Sequence, residues 1–259
     1  DRPRYLWMPP RSTSTLTGNF VQRQGAALMP ARYQIVSDFP RPAPELVARA
    51  QDLYYCMVGG LVGPRQIMDV GIKALDRSWR VCGPAVTVRP EYTDDTLMSA
   101  IVSKYVKPGD VVVVDAAGNP NAAAFGASQA NGVKEAGGTG LVIDGYVLTA
   151  EVIRVREDIP VFCRGTVARW QSSEKAGWIN CPIICGGVIV YPGDLIVGDE
   201  DGVVVVPRDR IEEVITRAQG DTKRPPDGMI GPREPKADPY YKRSSAEAKV
   251  AKLDGMEIV

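Results

Sequence analysis

The chain has 259 residues, 44% hydrophobic and 24% charged, an ordinary globular composition long enough for one large domain or two small ones. Its 31 Lys and Arg balance 31 Asp and Glu, so it lacks the basic excess with which nucleic-acid binders neutralise phosphate, and no run approaches the ~18 apolar residues of a membrane span. It contains no histidine, which removes Ser-His and Cys-His catalysis and the commonest transition-metal ligand. Acid–base chemistry would fall to carboxylates, Lys, Tyr, Cys or water, and a catalytic metal would be a hard ion such as Mg2+ or Mn2+ in an oxygen site.

Residues 1–28 are rich in Pro, Ser, Thr and Gly without a sustained period. Met29 begins a more regular segment and marks either a native start or the end of a genuine extension that packs on a neighbour; no secretory leader pattern opens the chain. A proline-punctuated helix is predicted from Pro44, with Leu46, Val47, Ala50 and Leu53 at helical spacing and Gly59-Gly60 ending it. Residues 80–90 read as a strand, 94–106 as a helix capped by Asp94 or Asp95, and 107–121 as a turn, a buried valine strand ending at Asp115 and a Gly-Asn-Pro-Asn loop. Residues 121–138 read as a helix of small residues, 139–145 as the next buried strand, then a short helix and the strand "PVFCRG". This β-α-β-α-β register is that of a layered α/β domain. From 181 to 207 short apolar runs separated by Gly-Gly, Pro-Gly-Asp and Asp-Gly predict a β-meander, and 208–219 an amphipathic helix. Beyond about 221 the chain is polar and proline-rich, an extended tail or arm that wraps an adjacent subunit. The expected organisation is an extension over 1–37, one domain over 38–219 and a tail over 220–259.

Three segments are candidate sites. The small residues after Asp115 let backbone approach a ligand and present helix-start amides to an anion, or simply pack a helix tightly on a sheet; they form neither a Walker loop nor G-x-G-x-x-G, so no nucleotide cofactor is expected. "GDEDG" at 198–202 is a hairpin turn or an acidic cluster placed for a divalent ion or a subunit boundary. The corner "VIDGYVLTAEVI" turns from strand to helix at Asp144-Gly145, where a carboxylate either caps amides or meets a ligand; Glu151 and Arg154 beyond it are spaced for a surface ion pair. The five cysteines are odd in number and irregular in spacing, which predicts buried reduced thiols, Cys56 included, in a cytoplasmic protein.

The ordered series "GPAVTV", "KPGDVVVVD", "GLVIDG", "IPVFCRGT" and "CPIICGGVIVYPGDLIVGDEDGVVVVP" resembles the RraA-like proteins over roughly residues 38–219. That family includes the regulators of ribonuclease E activity and divalent-metal 4-hydroxy-4-methyl-2-oxoglutarate aldolases. The resemblance implies a swivelling α/β/β layered sandwich, a homotrimer or hexamer with sites between subunits, and a small carboxylic-acid substrate. In aldolase members the strand corner continues x-x-Arg-Asp, the Arg gripping a carboxylate and the Asp anchoring the metal. Here those slots hold Leu148 and Thr149. The amide cradle maps to Gly126, Ala127, Ser128 and Gln129, and the neighbouring chain's acid to Glu200 or Asp201. Leucine makes no charge-assisted contact with a carboxylate, and threonine brings no negative charge to a divalent ion. The resemblance therefore implies a divergent lyase for a small oxo- or hydroxy-acid. In it Lys104, Arg154 or Arg164 replaces the clamp, and Asp144, Glu151 or Glu200 replaces the metal or water ligand, with Mg2+ or Mn2+ as the metal if one is bound. A metal-independent enzyme and a non-catalytic binding ring are the alternatives.

Overall fold

The computed structural model describes residues 33–90, 102–169 and 177–221. All belong to one folded unit that begins at Arg32. The strands are β1 (Tyr33–Ile35), β2 (Lys73–Ala74), β3 (Val81–Pro90), β4 (Val111–Asp115), β5 (Ala123–Phe125) and β6 (Gly140–Val147). They continue as β7 (Val161–Thr166), β8 (Gly177–Ile179), β9 (Ile183–Cys185), β10 (Val188–Val190), β11 (Leu195–Asp199) and β12 (Gly202–Val206). The helices are α1 (Pro44–Gln51), α2 (Tyr55–Val62), α3 (Ala127–Glu135), the short α4 (Ala150–Val152), which runs into a wider turn over Ile153–Glu157, and α5 (Ile211–Asp221).

The main sheet runs β1-β8-β3-β4-β6-β7-β2, with β3, β4, β6 and β7 parallel to one another and β8 and β2 antiparallel to β3 and β7. Alternation along β4 shows why these strands read as unbroken apolar runs. Val112 and Val114 face a core beneath α3, whereas Val111 and Val113 face the opposite core with Phe162, Ile183, Val190 and Val205. Both faces are buried, so both parities must be apolar. β3 joins two layers: Val81–Pro84 pairs with β11, and Ala85–Val88 pairs with β4. The β11–β12 hairpin buries Val203 and Val205 inward and packs Leu195, Val197, Val204 and Val206 against α1, α2 and α5. The chain is thus a mixed α/β domain in which the anticipated α/β/β layering carries a further helical cover.

Four differences from the sequence reading have physical causes. The helix expected over 121–138 is a strand, β5, followed by α3; three residues of helix-favouring Ala-Ala-Phe are drawn onto the free edge of β6 by ladder hydrogen bonds. The helix from Pro44 does not run to the glycines but breaks after Gln51, and Gly59-Gly60 lies inside α2. A β-carbon on Gly59 would make only ordinary contact, 3.4 Å from Ile67 Cδ1, so a helix passes through this glycine without strain. Cys56, expected in the core, is exposed, while the other four cysteines are buried and free. Tyr33–Ile35, which the sequence placed in the extension, pairs with β8. Of the helix expected at 94–106 only a 3-10 turn, Val102–Tyr105, falls within the described residues; the segments 1–28 and 222–259 lie outside them.

Asp110, fully buried, fixes the entry to β4. It accepts from Arg41 through both oxygens, at 2.8 and 2.7 Å, and from the Lys107 amide at 2.7 Å. Arg41 is also stacked on Phe39 and bonded to Asp38. Removing the guanidinium strands a buried carboxylate. Arg41→Ala is expected to lower unfolding free energy in urea by about 3–5 kcal/mol, and Arg41→Lys, which cannot make the fork, is expected to recover only part of it.

Candidate functional site

The corner after β6 is tied to the chain before α3 by two hydrogen bonds. Leu148 donates its amide to the Phe125 carbonyl at 3.0 Å, and the Ala127 amide donates to Thr149 Oγ1 at 2.9 Å. Thr149 adopts φ 54° and ψ 35°, a left-handed conformation that costs a β-branched residue on the order of 1–3 kcal/mol. Its hydroxyl offsets that cost by accepting from Ala127 and donating to the Leu148 carbonyl at 2.6 Å.

A helix leaves its first amides without intrahelical acceptors. At α3 the Gly126 amide donates to Gln129 Oε1 at 3.0 Å, and the Ala127 amide is taken by Thr149. The amides of Ser128 and Gln129 have no acceptor among the described residues. Beside them opens a cleft of about 470 Å3 lined by residues 123–129 with Leu148 and Thr149. A β-carbon on Gly126 would lie 3.1 Å from Leu148 Cδ1, so glycine lets the leucine close down on the start of the helix.

The structure therefore brings Gly126, Ala127, Ser128, Gln129, Leu148 and Thr149 of the sequence-selected residues to one cleft and leaves the others elsewhere. Asp144, 7% exposed, is committed: Arg164 Nε donates to Oδ1 and the Gly186 amide to Oδ2 at 2.8 Å, while Arg164 Nη1 reaches Asp69 at 3.0 Å. Arg164 is the arginine considered for a substrate carboxylate, and protein carboxylates occupy it. Lys104 is exposed on the 3-10 turn before β4, and Arg154 is exposed on the turn after α4. Glu151 and Arg154 form no ion pair among the described residues. Glu200 lies at the exposed tip of the two-residue β11–β12 turn, where Lys73 Nζ bonds the Asp201 carbonyl at 2.6 Å. A second cavity of about 390 Å3 lies there, bounded by Lys73, Arg77 and the two acids.

Electrostatics agree with this division. Asp115, register partner of Asp144 on the adjacent strand, is pushed above the usual carboxylate range by burial, against the pull of the Ala117 amide and Arg89. Burial, then the charges of Asp144 and Asp115, raise the Cys185 thiol well above its ordinary value. Partial burial, then Asp199 and Asp201, raise Cys56. Neither thiol is an activated nucleophile. No group of three or more His, Cys, Asp and Glu side chains converges among the described residues. With Asp144 saturated and Thr149 committed to backbone, the donors at this corner do not fit a divalent cation. Sequence reasoning took Ala123, Ala124 and Phe125 into a candidate segment but read them as helix, missing the wall they form by pairing with β6, and it did not find the Asp69 contact to Arg164, which joins residues 95 apart.

Removing the Thr149 hydroxyl should matter more than altering its size. Thr149→Val leaves the Ala127 amide unsatisfied and is expected to cost about 1–2 kcal/mol in denaturant unfolding, whereas Thr149→Ser keeps both hydrogen bonds and should stay within about 0.5 kcal/mol of the parent.

Comparison with known proteins identifies the family of the domain. The family profile described as RraA-like, Aldolase/RraA, matches residues 51–205. A protein of Halalkalibacterium halodurans provisionally named 4-hydroxy-4-methyl-2-oxoglutarate aldolase is 39% identical over 149 residues, which cover 57% of this chain and 70% of that one. An uncharacterized protein of Methanocaldococcus jannaschii is 35% identical over 150 residues, 58% of this chain and 72% of its own. The crystal structure of Streptomyces coelicolor RraAS2, described as an unusual member of the RNase ES inhibitor RraA protein family, superposes with a TM-score of 0.63 at 34% identity, covering 71% of this chain and 94% of that one. Among the described residues no helix is long and apolar enough to cross a membrane.

Proposed function

Because the chain belongs to the RraA-like family, we propose that it is a carbon–carbon lyase of the aldol-cleavage type for a small oxo- or hydroxy-acid, working with an altered, metal-independent site. The observation that carries this reading is the pair of uncommitted amides, Ser128 and Gln129, beside the cleft at the start of α3. Cleavage of a bond next to a carbonyl builds negative charge on the carbonyl oxygen as an enolate forms. A helix start bears partial positive charge and aims N–H groups at such an oxygen. Fixed donors of this kind stabilise developing charge more strongly where water is excluded. In this reading α3 takes over the charge stabilisation that an arginine and a metal would otherwise give, and Ala124, Phe125 and Leu148 wall off solvent.

The described lining of the cleft contains no titratable side chain, so the base comes from elsewhere. Glu200 is the proposed source, delivered by an adjoining copy in a cytoplasmic trimer or hexamer. It is exposed, it sits at a hairpin tip, and its carboxylate has no partner among the described residues.

The test is pyruvate release from 4-hydroxy-2-oxo acids, coupled to a dehydrogenase, with and without a chelator. Turnover that chelator does not change is expected. Turnover abolished by chelator would overturn the metal-independent site, and no pyruvate from any such acid would overturn the lyase. Glu200→Gln is expected to lower kcat about 10²-fold or more while leaving the unfolding midpoint unchanged. The double substitution Leu148→Arg with Thr149→Asp is expected to introduce a magnesium requirement, read as chelator sensitivity absent from the parent.

A further inference from the structure

We infer that Lys73 is a positioning residue for Glu200, holding in place the hairpin tip that carries the proposed base. The inference rests on Glu200 being that base, as proposed above, and adds what fixes it. Lys73 Nζ donates to the Asp201 carbonyl at 2.6 Å and to the Glu200 carbonyl at 3.4 Å, across 128 and 127 positions of chain.

The tip needs such a hold. Glu200 and Asp201 form the two-residue turn between Asp199 and Gly202, the last register partners of β11 and β12. Exposed turn tips are among the parts of a fold that open most easily. Three acids stand in a row there, and none forms an ion pair among the described residues. Burial raises the Asp199 carboxyl above its ordinary range, and the charges of Asp201 and Glu200 add to the rise. Within the hairpin, the Asp201 amide donates to Asp199 Oδ1 at 3.1 Å. From outside it, Lys73 is the one described side chain that donates to the tip carbonyls, and it brings a positive charge to the acids through the same contact.

Lys73 is itself anchored. It pairs with Cys163 on β7, and its neighbour Ile72 is fully buried. The next residue along β7 is Arg164, which holds Asp144 and Asp69. The other cations nearby act differently. Arg80 donates to the Leu53 carbonyl and lies over the Tyr55 ring, while Arg77, which lines the same cavity as Lys73, makes no bond among the described residues. A base works only within hydrogen-bond reach of the proton it takes, so a tip that wanders loses rate before it loses substrate binding. An exposed lysine bonded only to turn carbonyls contributes little to global stability.

The experiment reads tip mobility and catalysis separately. Amide hydrogen exchange over residues 199–203 is expected to quicken about tenfold in Lys73→Met and to stay parental in Arg77→Ala, which removes a neighbouring charge without releasing the tip. With a 4-hydroxy-2-oxo acid as substrate, Lys73→Met is expected to lower kcat about tenfold with KM within about twofold of the parent. Lys73→Arg, which still donates to both carbonyls, is expected to regain most of that loss, and both variants are expected to keep the parental unfolding midpoint. Adding Lys73→Met to Glu200→Gln is expected to lower kcat no further. Parental exchange in Lys73→Met overturns the hold on the tip. Faster exchange with parental kcat, where Glu200→Gln is impaired, overturns the positioning role and leaves the base standing. A loss that adds in full to that of Glu200→Gln means that Lys73 acts on another group, and it overturns the role as well. Glu200→Gln at parental kcat overturns the base, and the positioning role falls with it. If the parent releases no pyruvate, the lyase falls and exchange alone decides whether Lys73 fixes the tip.

Discussion

The Asp144 carboxylate is the constraint on which the rest of this end of the molecule depends. It accepts from Arg164 on β7 and from the Gly186 amide in the β9–β10 turn, so it joins the parallel sheet to the layer that covers it. Arg164 carries the link on to Asp69 in the loop before β2. Two strands, a hairpin and the loop before β2 are thereby fixed in relation to one another around a group that is almost wholly buried. A buried carboxylate is tolerated only when it is paired and hydrogen-bonded, and here every oxygen is engaged. The strand-to-helix corner that follows begins from this anchored position.

This arrangement divides the acidic residues at the carboxyl ends of the central strands from the pocket. Asp115 and Asp144 are register partners on β4 and β6, yet they face Arg89, Arg164 and backbone amides rather than the space beside α3. Their charge holds the layers together. The pocket is left with hydroxyls, an amide side chain, apolar walls and the field of a helix start, a setting in which a few fixed donors count for more than they would in water.

Thr149 and Leu148 each shape the corner and line the cleft beside it. The threonine hydroxyl occupies a helix-start amide, which makes it a cap for α3 as well as a pocket wall. The leucine presses on Gly126 and lines the cleft with hydrocarbon.

Much of this was legible in the residues. The two-faced apolar runs of β4 and β6, the Asp-Gly and Pro-Gly punctuation of the meander and the amphipathic period of α5 each follow from local chemistry that a sequence records directly. The same is true of the identities at 148 and 149, which set what the corner presents to the cleft. Other features depended on partners far away in the chain. Ala123–Phe125 became a strand because the second half of β6 offered an unpaired edge, a preference no triplet of Ala, Ala and Phe encodes. Asp144 and Arg164, both available for ligand on inspection of the sequence, were spent on each other, because ion pairing between residues 20 apart is decided by strand register. The sequence determined which groups the chain possesses and the period on which they recur. Tertiary structure decided which of them remained free, since a hydrogen-bonding group is satisfied by whatever the fold brings within about 3 Å, and that distance is not a property of the chain order.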